Sequence, residues 1–363
     1  MIEIGGGYVL LGNHPDEQSP RVSRVLLDTN VAADLTDFYF GTKKTDKDSL
    51  RKLLSMFPKA KIAGMPEVDI SFAMALQETL WTRLGESSAT RSSRARQIRH
   101  AMSRIVEWTP NEIEAQFTHP HPPISRDKSW PSKPLTEADR SYHPLPHLIV
   151  TYAHLLYIAH LYRTTSRWKH NNKGRTWPIQ TLRDWSRDTF GCMGAYETAV
   201  AVTMFLDKGV PSGRAERLLK LKDQHDDPDR VAKNTWNATW DVWFVRMAEG
   251  WLADKRGTTF VVARDKDTKF VREVYELNLA IDRGRDVPVA ASFSAWSDSL
   301  KEWEQLQKLL DIDPLVQHRR IQRDPAVVFE QALTALDDLE AEMKVQQRTV
   351  EAYRRFRDDS PAA

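Results

Sequence analysis

Apolar positions recur along the chain with two different periods, and the switches between them mark its elements. Residues 24–28 (RVLLD) form a short run rich in Val and Leu, which predicts a buried parallel strand ending in a polar Asp-Thr-Asn corner. Residues 258–263 (TTFVVA) are a second such run and lead into Arg-Asp-Lys-Asp. Residues 61–65 and 287–293 are further strand candidates. Residues 1–20 read as a short strand or arm and then a loop, with Gly5, Gly6, Gly7 and Pro15 as breakers.

Helical spacing fills most of the remainder. Residues 46–57 predict an amphipathic helix. Pro66 suits the first turn of a helix running through SFAMALQETLWTRL, where Phe72, Leu76 and Leu80 share a stripe and Glu78 lies off it. Residues 145–205 are helical in pattern, Gly209 and Pro211 break the chain, and residues 224–229 read as a polar turn. Residues 231–252 predict a central helix with a wide apolar face of Trp236, Trp240, Trp243, Met247 and Trp251, a core rather than a stacking platform. Residues 268–282 follow as a helix. Strand and helix in alternation favour α/β with a parallel sheet.

The tail has its own pattern. Trp296, Leu300, Trp303, Leu306 and Leu310 mark one helix, and Asp324 with Pro325 supply a cap and first turn for another. In the second, Ala332, Leu336, Leu339, Met343, Gln346, Val350 and Tyr353 repeat at a spacing near 3.5. That spacing predicts a helical hairpin or a coiled-coil contact, with a protein partner or with a second copy of the chain.

Composition narrows the setting. Across 363 residues the net charge is only +2, so any nucleic-acid footprint must be local. The local candidate is residues 86–104, where Arg91, Arg94, Arg96, Arg99 and Arg104 face a single acid, Glu86. These arginines form either a solvated helix face or a surface that contacts phosphates. The one cysteine, Cys192, allows no internal disulfide, which fits a reducing compartment such as the cytoplasm. No membrane span is expected, because the most apolar stretch, residues 145–162, is interrupted by His147, His154 and His160. The N-terminus lacks the basic start of a signal peptide. Residues 117–147, rich in Pro and His, read as a long irregular loop. His119, His121, His143 and His147 fit no standard zinc spacing.

Four acids stand where a sheet-based site wants them. Asp28 ends the first strand candidate and Asp265 follows the second, and open α/β sheets bind ligands beyond the carboxyl ends of their strands. Glu78 and Asp241 lie on the helices expected to pack near those ends, with Asn237 one turn before Asp241. Crowded carboxylates repel one another, and a hard divalent cation such as Mg²⁺ or Mn²⁺ removes that cost. Each acid also has a plainer role open to it. Asp28 suits a helix N-cap, Asp265 a solvated turn, and Glu78 and Asp241 the polar edge of an apolar stripe.

VLLDTNV, the later helical LQETL, NATWD on a helix, and FVVARDKD after a strand together resemble the motifs of the PIN-domain nucleases. The resemblance implies a PIN-like parallel sheet flanked by helices. It makes Asp28, Glu78, Asp241 and Asp265 the metal-binding and catalytic acids, with Mg²⁺ or Mn²⁺ as cofactor. Thr29 or Asn30 would help hold the site and Asp267 is a spare acid. The implied activity is hydrolysis of RNA, or of DNA, by a toxin-like or defence-related enzyme. The implied layout is a core in two parts, residues 1–85 and 226–295, a mainly helical insertion over 86–225, and a helical extension over 296–363. Two rival functions remain: a non-catalytic interaction protein on a degenerate PIN scaffold, and a Rossmann-like phosphohydrolase of small molecules. Asn30 stands where an aspartyl-phosphate enzyme would carry a second Asp, which counts against the last.

Overall fold

A computed structural model describes residues 2–12, 22–42, 46–55, 69–118, 146–165, 176–190, 194–206, 210–221, 227–248, 258–264, 266–274, 325–351 and 353–354. The chain divides into two compact units. A sheet unit takes residues 1–143 and 244–269, and a helical unit takes 144–243 and 270–363. The strand candidates at 61–65 and 287–293, the helix at 296–310, the histidines between 119 and 143, and Cys192 lie outside the described residues.

The sheet unit is built on five strands, β1 (Ile2–Gly5), β2 (Tyr8–Leu11), β3 (Val22–Leu27), β4 (Asp69–Ser71) and β5 (Thr258–Ala263). Their order across the sheet is β1-β2-β5-β3-β4. β3 runs parallel to β4 and to β5, with Leu27 beside Val262, whereas β2 runs antiparallel to β5. The sheet is therefore mixed rather than purely parallel. The N-terminal arm is a β-hairpin, because Gly5, Gly6 and Gly7 all adopt positive φ and close a turn that other residues resist. Gly6 also lies against Ser49, where a Cβ would collide with the hydroxyl. Phe260, Val261, Val262 and Ala263 are all buried, as expected of a central strand covered on both faces.

Five helices pack with this sheet: α1 (Thr29–Phe40), α2 (Lys47–Leu54), α3 (Ala73–Leu80), α4 (Ala89–Ile105) and α5 (Pro110–Thr118). Leu27, Val31, Leu35, Leu53, Leu76, Ile98 and Met102 share one hydrophobic core. Two expectations change here. Residues 69–71 are an edge strand instead of the start of a helix, and α3 ends at Leu80 because Trp81 is extended. The basic segment lies in the sheet unit, where α4 and α5 bury Ile98, Ile105, Ile113 and Phe117 in its core.

The helical unit holds α6 (Pro146–Thr165), α7 (Trp177–Thr189), α8 (Ala195–Leu206) and α9 (Val210–Leu218). It also takes most of α10 (Pro228–Ala248), and α12 (Pro325–Glu342); α11 (Lys266–Val274) starts in the sheet unit and ends here. α6 is apolar on all sides, which suits a buried helix. His154 within it is buried, with Nδ1 2.8 Å from the Val150 carbonyl and its ring stacked on Phe190. On α10, Trp236, Trp240 and Trp243 are buried edge to face, so they form core as the spacing predicted.

The 3.5-residue repeat of the tail does not continue as one helix. α12 stops at Glu342, Lys344 takes a left-handed φ of 63°, and the Val345 amide donates back to the Glu340 carbonyl at 2.8 Å. The cause is Glu340, an acid in a fully buried position. Its carboxylate accepts from the Thr349 amide, the Thr349 hydroxyl and the Tyr152 hydroxyl, so the chain must fold back over it. Asp229 fixes the same turn by accepting from the amides of Gln346 and Gln347. The apolar stripe of α12 packs on α6 within the chain. No described helix is long and apolar enough to cross a membrane.

Candidate active site at the strand ends

Two adjacent parallel strands finish side by side, β3 at Leu27 and β5 at Ala263, and Asp28 joins their ends. Its amide donates to the Val262 carbonyl at 3.0 Å, extending the ladder by one rung. One carboxylate oxygen accepts from the Val31 amide at 2.7 Å and so caps α1. The other accepts from the Arg264 amide at 3.0 Å and so holds the end of β5. Asp28 is only 3% exposed, and these bonds offset the cost of burying its carboxylate. The plainer role foreseen for Asp28 is therefore present: it is an N-cap, and a clasp between two strands as well.

Glu78 reaches the same corner from α3. The Thr29 hydroxyl, in the first turn of α1, donates to its Oε2. Both Glu78 and Thr29 are half-buried, and Asn30 beside them is exposed.

A third acid, Asp34 on α1, completes the corner and was not foreseen. Asp34 is 4% exposed and accepts from the Arg264 guanidinium and, at 3.0 Å, from the Tyr8 hydroxyl. The Arg264 guanidinium also lies over the Tyr8 ring, 5.6 Å from its centre. Burial pushes the Tyr8 hydroxyl well above its ordinary pKa, and the charge of Asp34 pushes it further. A signal for Asp34 existed: it interrupts the apolar spacing of Val31, Leu35 and Phe38, and an acid on a buried stripe demands a partner. Nothing in the sequence named Arg264 or Tyr8 as those partners, because β2, α1 and β5 come together only in the folded sheet.

The other expected acids are distributed differently. Asp265 lies outside the described residues, though it is the next residue after Arg264. Asp267 is half-buried in the first turn of α11. Asp241, half-buried, and Asn237, exposed, are on the part of α10 that belongs to the helical unit. Among the described residues, no three His, Cys, Asp or Glu side chains form a set able to hold a metal ion.

The five arginines of α4 separate by helical phase. Arg91 and Arg94 turn toward the buried arc of Ile98, Met102 and Ile105. The Arg91 guanidinium donates to the carbonyls of Glu78, Thr79 and Trp81 at 3.0–3.3 Å, closing the C-terminal end of α3. Arg94 pairs with Asp37 at 2.9 Å and reaches the Ala33 carbonyl. These two side chains are bonded to α3 and α1 within the sheet unit. Arg96 and Arg104 are exposed, and Arg99 is half-buried with its guanidinium 6.0 Å from the Phe72 ring centre.

Comparison with known proteins returns no match: no family model, no curated protein and no solved structure is similar to this chain.

Proposed function

We propose that the sheet unit is a PIN-like, metal-dependent nuclease that hydrolyses RNA phosphodiesters at the corner formed by Asp28 and Glu78. The observation that carries this is the Asp28 clasp. An acid at the end of β3 is bonded to the end of β5, one residue before Asp265, and a second acid is bonded to the residue after Asp28. That is where a parallel α/β sheet binds its ligand. The donors at this corner are carboxylate and hydroxyl oxygens, which fit a hard cation such as Mg²⁺ or Mn²⁺. Asp28 and Glu78 would hold it, with Asp265 next in the chain.

A cation bound there would supply an acidified water and would neutralise charge in the displacement at phosphorus. The chain's own groups set up that chemistry. The two backbone amides on Asp28 fix the plane of its carboxylate. The Thr29 hydroxyl fixes Glu78. Asp34 balances the charge of Arg264, so this pair adds little net field beside Asp28.

The opposing reading is a non-catalytic scaffold, favoured by the structural work that both Asp28 oxygens perform. Substituting Asp28 cannot separate the two, because it damages the fold as well. Glu78→Gln can: a carboxamide oxygen still accepts from Thr29 while the charge is lost. Incubation of total RNA with Mg²⁺ or Mn²⁺ should show cleavage by the wild type and at least about a hundredfold slower cleavage by Glu78→Gln. The variant's melting curve should stay close to wild type. Equal cleavage by the two proteins, or none by the wild type, rejects the nuclease.

A further inference from the structure

The side chain of Arg264 is anchored along one edge and open along the other. Its Nη1 donates to Asp34, an acid that is buried in the sheet unit. The guanidinium also lies over the ring of Tyr8, which is buried as well. Gly7, in the hairpin turn, borders the stem, where a Cβ would stand 3.8 Å from the Arg264 Cγ. A cation needed only to neutralise Asp34 could be buried with it, yet the Arg264 side chain keeps 40% of its surface exposed. Among the described residues, no hydrogen bond engages its Nε or Nη2. Burial opposes the charge of the guanidinium, but Asp34, Tyr8 and Asp28 outweigh burial, so its pKa is raised and it stays a cation. The Arg264 amide, bonded to the Asp28 carboxylate, ties this side chain to the ends of β3 and β5.

We propose that the open edge of Arg264 is a seat for a phosphate group beside Asp28. The guanidinium fork matches a pair of phosphate oxygens, which a point charge does not. Asp34 and Tyr8 hold the head in place before the ligand arrives, so little side-chain freedom is lost on binding. Asp34 also cancels much of the long-range field of the guanidinium, which spares a divalent cation at Asp28 from repulsion. At hydrogen-bond distance the unengaged N–H groups still act on an anion. That the phosphate belongs to an RNA strand rests on the nuclease reading, and the seat deepens it by naming the side chain that places the substrate. Free phosphate would offer the same oxygens.

The test reads binding in EDTA, where metal-dependent cleavage is stopped, so that it stands or falls apart from the nuclease. Fluorescein-labelled oligouridine is titrated with the full chain, and anisotropy is followed over a range of salt. Arg264→Gln should lose about tenfold or more in affinity, with a salt slope flatter by about 0.7 for one lost phosphate contact. Arg264→Lys keeps a charge opposite Asp34 and loses the fork, so it should keep the wild-type slope at an intermediate affinity. Arg24→Gln makes the same charge change at an exposed, acid-paired arginine on β3 and should bind as wild type does. Inorganic phosphate separates the two sources: displacement of oligouridine by millimolar phosphate marks a seat for the free anion, and persistence marks a phosphate within a strand. Equal affinity and slope in wild type and Arg264→Gln overturns the seat, as does an equal loss in Arg24→Gln, or a wild type that binds neither oligouridine nor phosphate. Should Arg264→Gln fail to fold, the wild type decides. Its Arg264 Nε–H signal in a nitrogen–proton NMR spectrum, identified by its loss in Arg264→Lys, must shift when oligouridine or phosphate is added, and a signal that stays put overturns the seat. A wild type that binds through Arg264 yet leaves RNA intact with Mg²⁺ or Mn²⁺ rejects the nuclease and retains the seat.

Discussion

The Arg264 amide donates to the Asp28 carboxylate across 3.0 Å, linking two residues that are far apart in sequence and adjacent at the ends of β3 and β5. The same carboxylate caps α1 through the Val31 amide. One side chain thus sets where a strand stops, where a helix starts and where a neighbouring strand ends.

Asp28→Ala should therefore cost stability whatever its effect on activity. Loss of the cap costs about 1 kcal/mol, and stranding the Arg264 amide costs about 1–3 kcal/mol more. Asp28→Asn keeps the cap and loses only the clasp, so its cost should be smaller, about 1–2 kcal/mol. Urea unfolding of the three proteins measures the order. An alanine variant as stable as wild type would show that the clasp holds nothing.

The arginines of α4 should divide in a thermal melt. Arg91→Ala strips three carbonyls at the end of α3 and should destabilise by about 1–2 kcal/mol. Arg96→Ala, at an exposed position, should stay within about 0.5 kcal/mol of wild type. Equal melting temperatures for the two variants would contradict the assignment by helical phase.

Much of the sheet unit was legible in the sequence. RVLLD and TTFVVA became β3 and β5 because a buried strand leaves a continuous apolar run. α2, and α10 with its tryptophans, also followed from helical spacing. The misses share a cause. β4 has three residues and an exposed first position, so its pattern is too short to register. The Asp34–Arg264–Tyr8 group joins three elements, and no local spacing records such a meeting. In the tail, periodicity favoured a continuous helix, and the break came from Glu340, whose need for donors outweighed the repeat.

Glu340 supplies a further test in the helical unit. Glu340→Ala leaves the Thr349 amide and hydroxyl and the Tyr152 hydroxyl without their acceptor, and should cost about 3–5 kcal/mol. Tyr152→Phe removes one of the three bonds and should cost about 1–2 kcal/mol. A larger loss in the tyrosine variant than in Glu340→Ala would place the burden elsewhere.

His160 should make the helical unit sensitive to acid. Burial lowers its pKa from 6.5, only partly countered by Glu342, whose carboxylate is 3.4 Å from Nε2, and Arg163 lowers it further. A histidine with a depressed folded pKa favours the neutral form. Its stabilising effect is present above pH 6.5 and is lost as pH falls below it. His160→Gln should accordingly lose less melting temperature than wild type between about pH 7.5 and about pH 5. A parallel loss in both proteins would exclude His160 as the source.

The position of β5 has a consequence for how this protein is made. The middle strand of the sheet is synthesised long after the strands on either side of it, β2 and β3. At ordinary ribosomal speeds of about 5–20 residues per second, the nascent chain carries those two strands for some tens of seconds without the strand that joins them. A translation product stopped before Thr258 would hold two unpaired strand edges and an Asp28 with no Arg264 amide to bind, a natural target for chaperones and proteases.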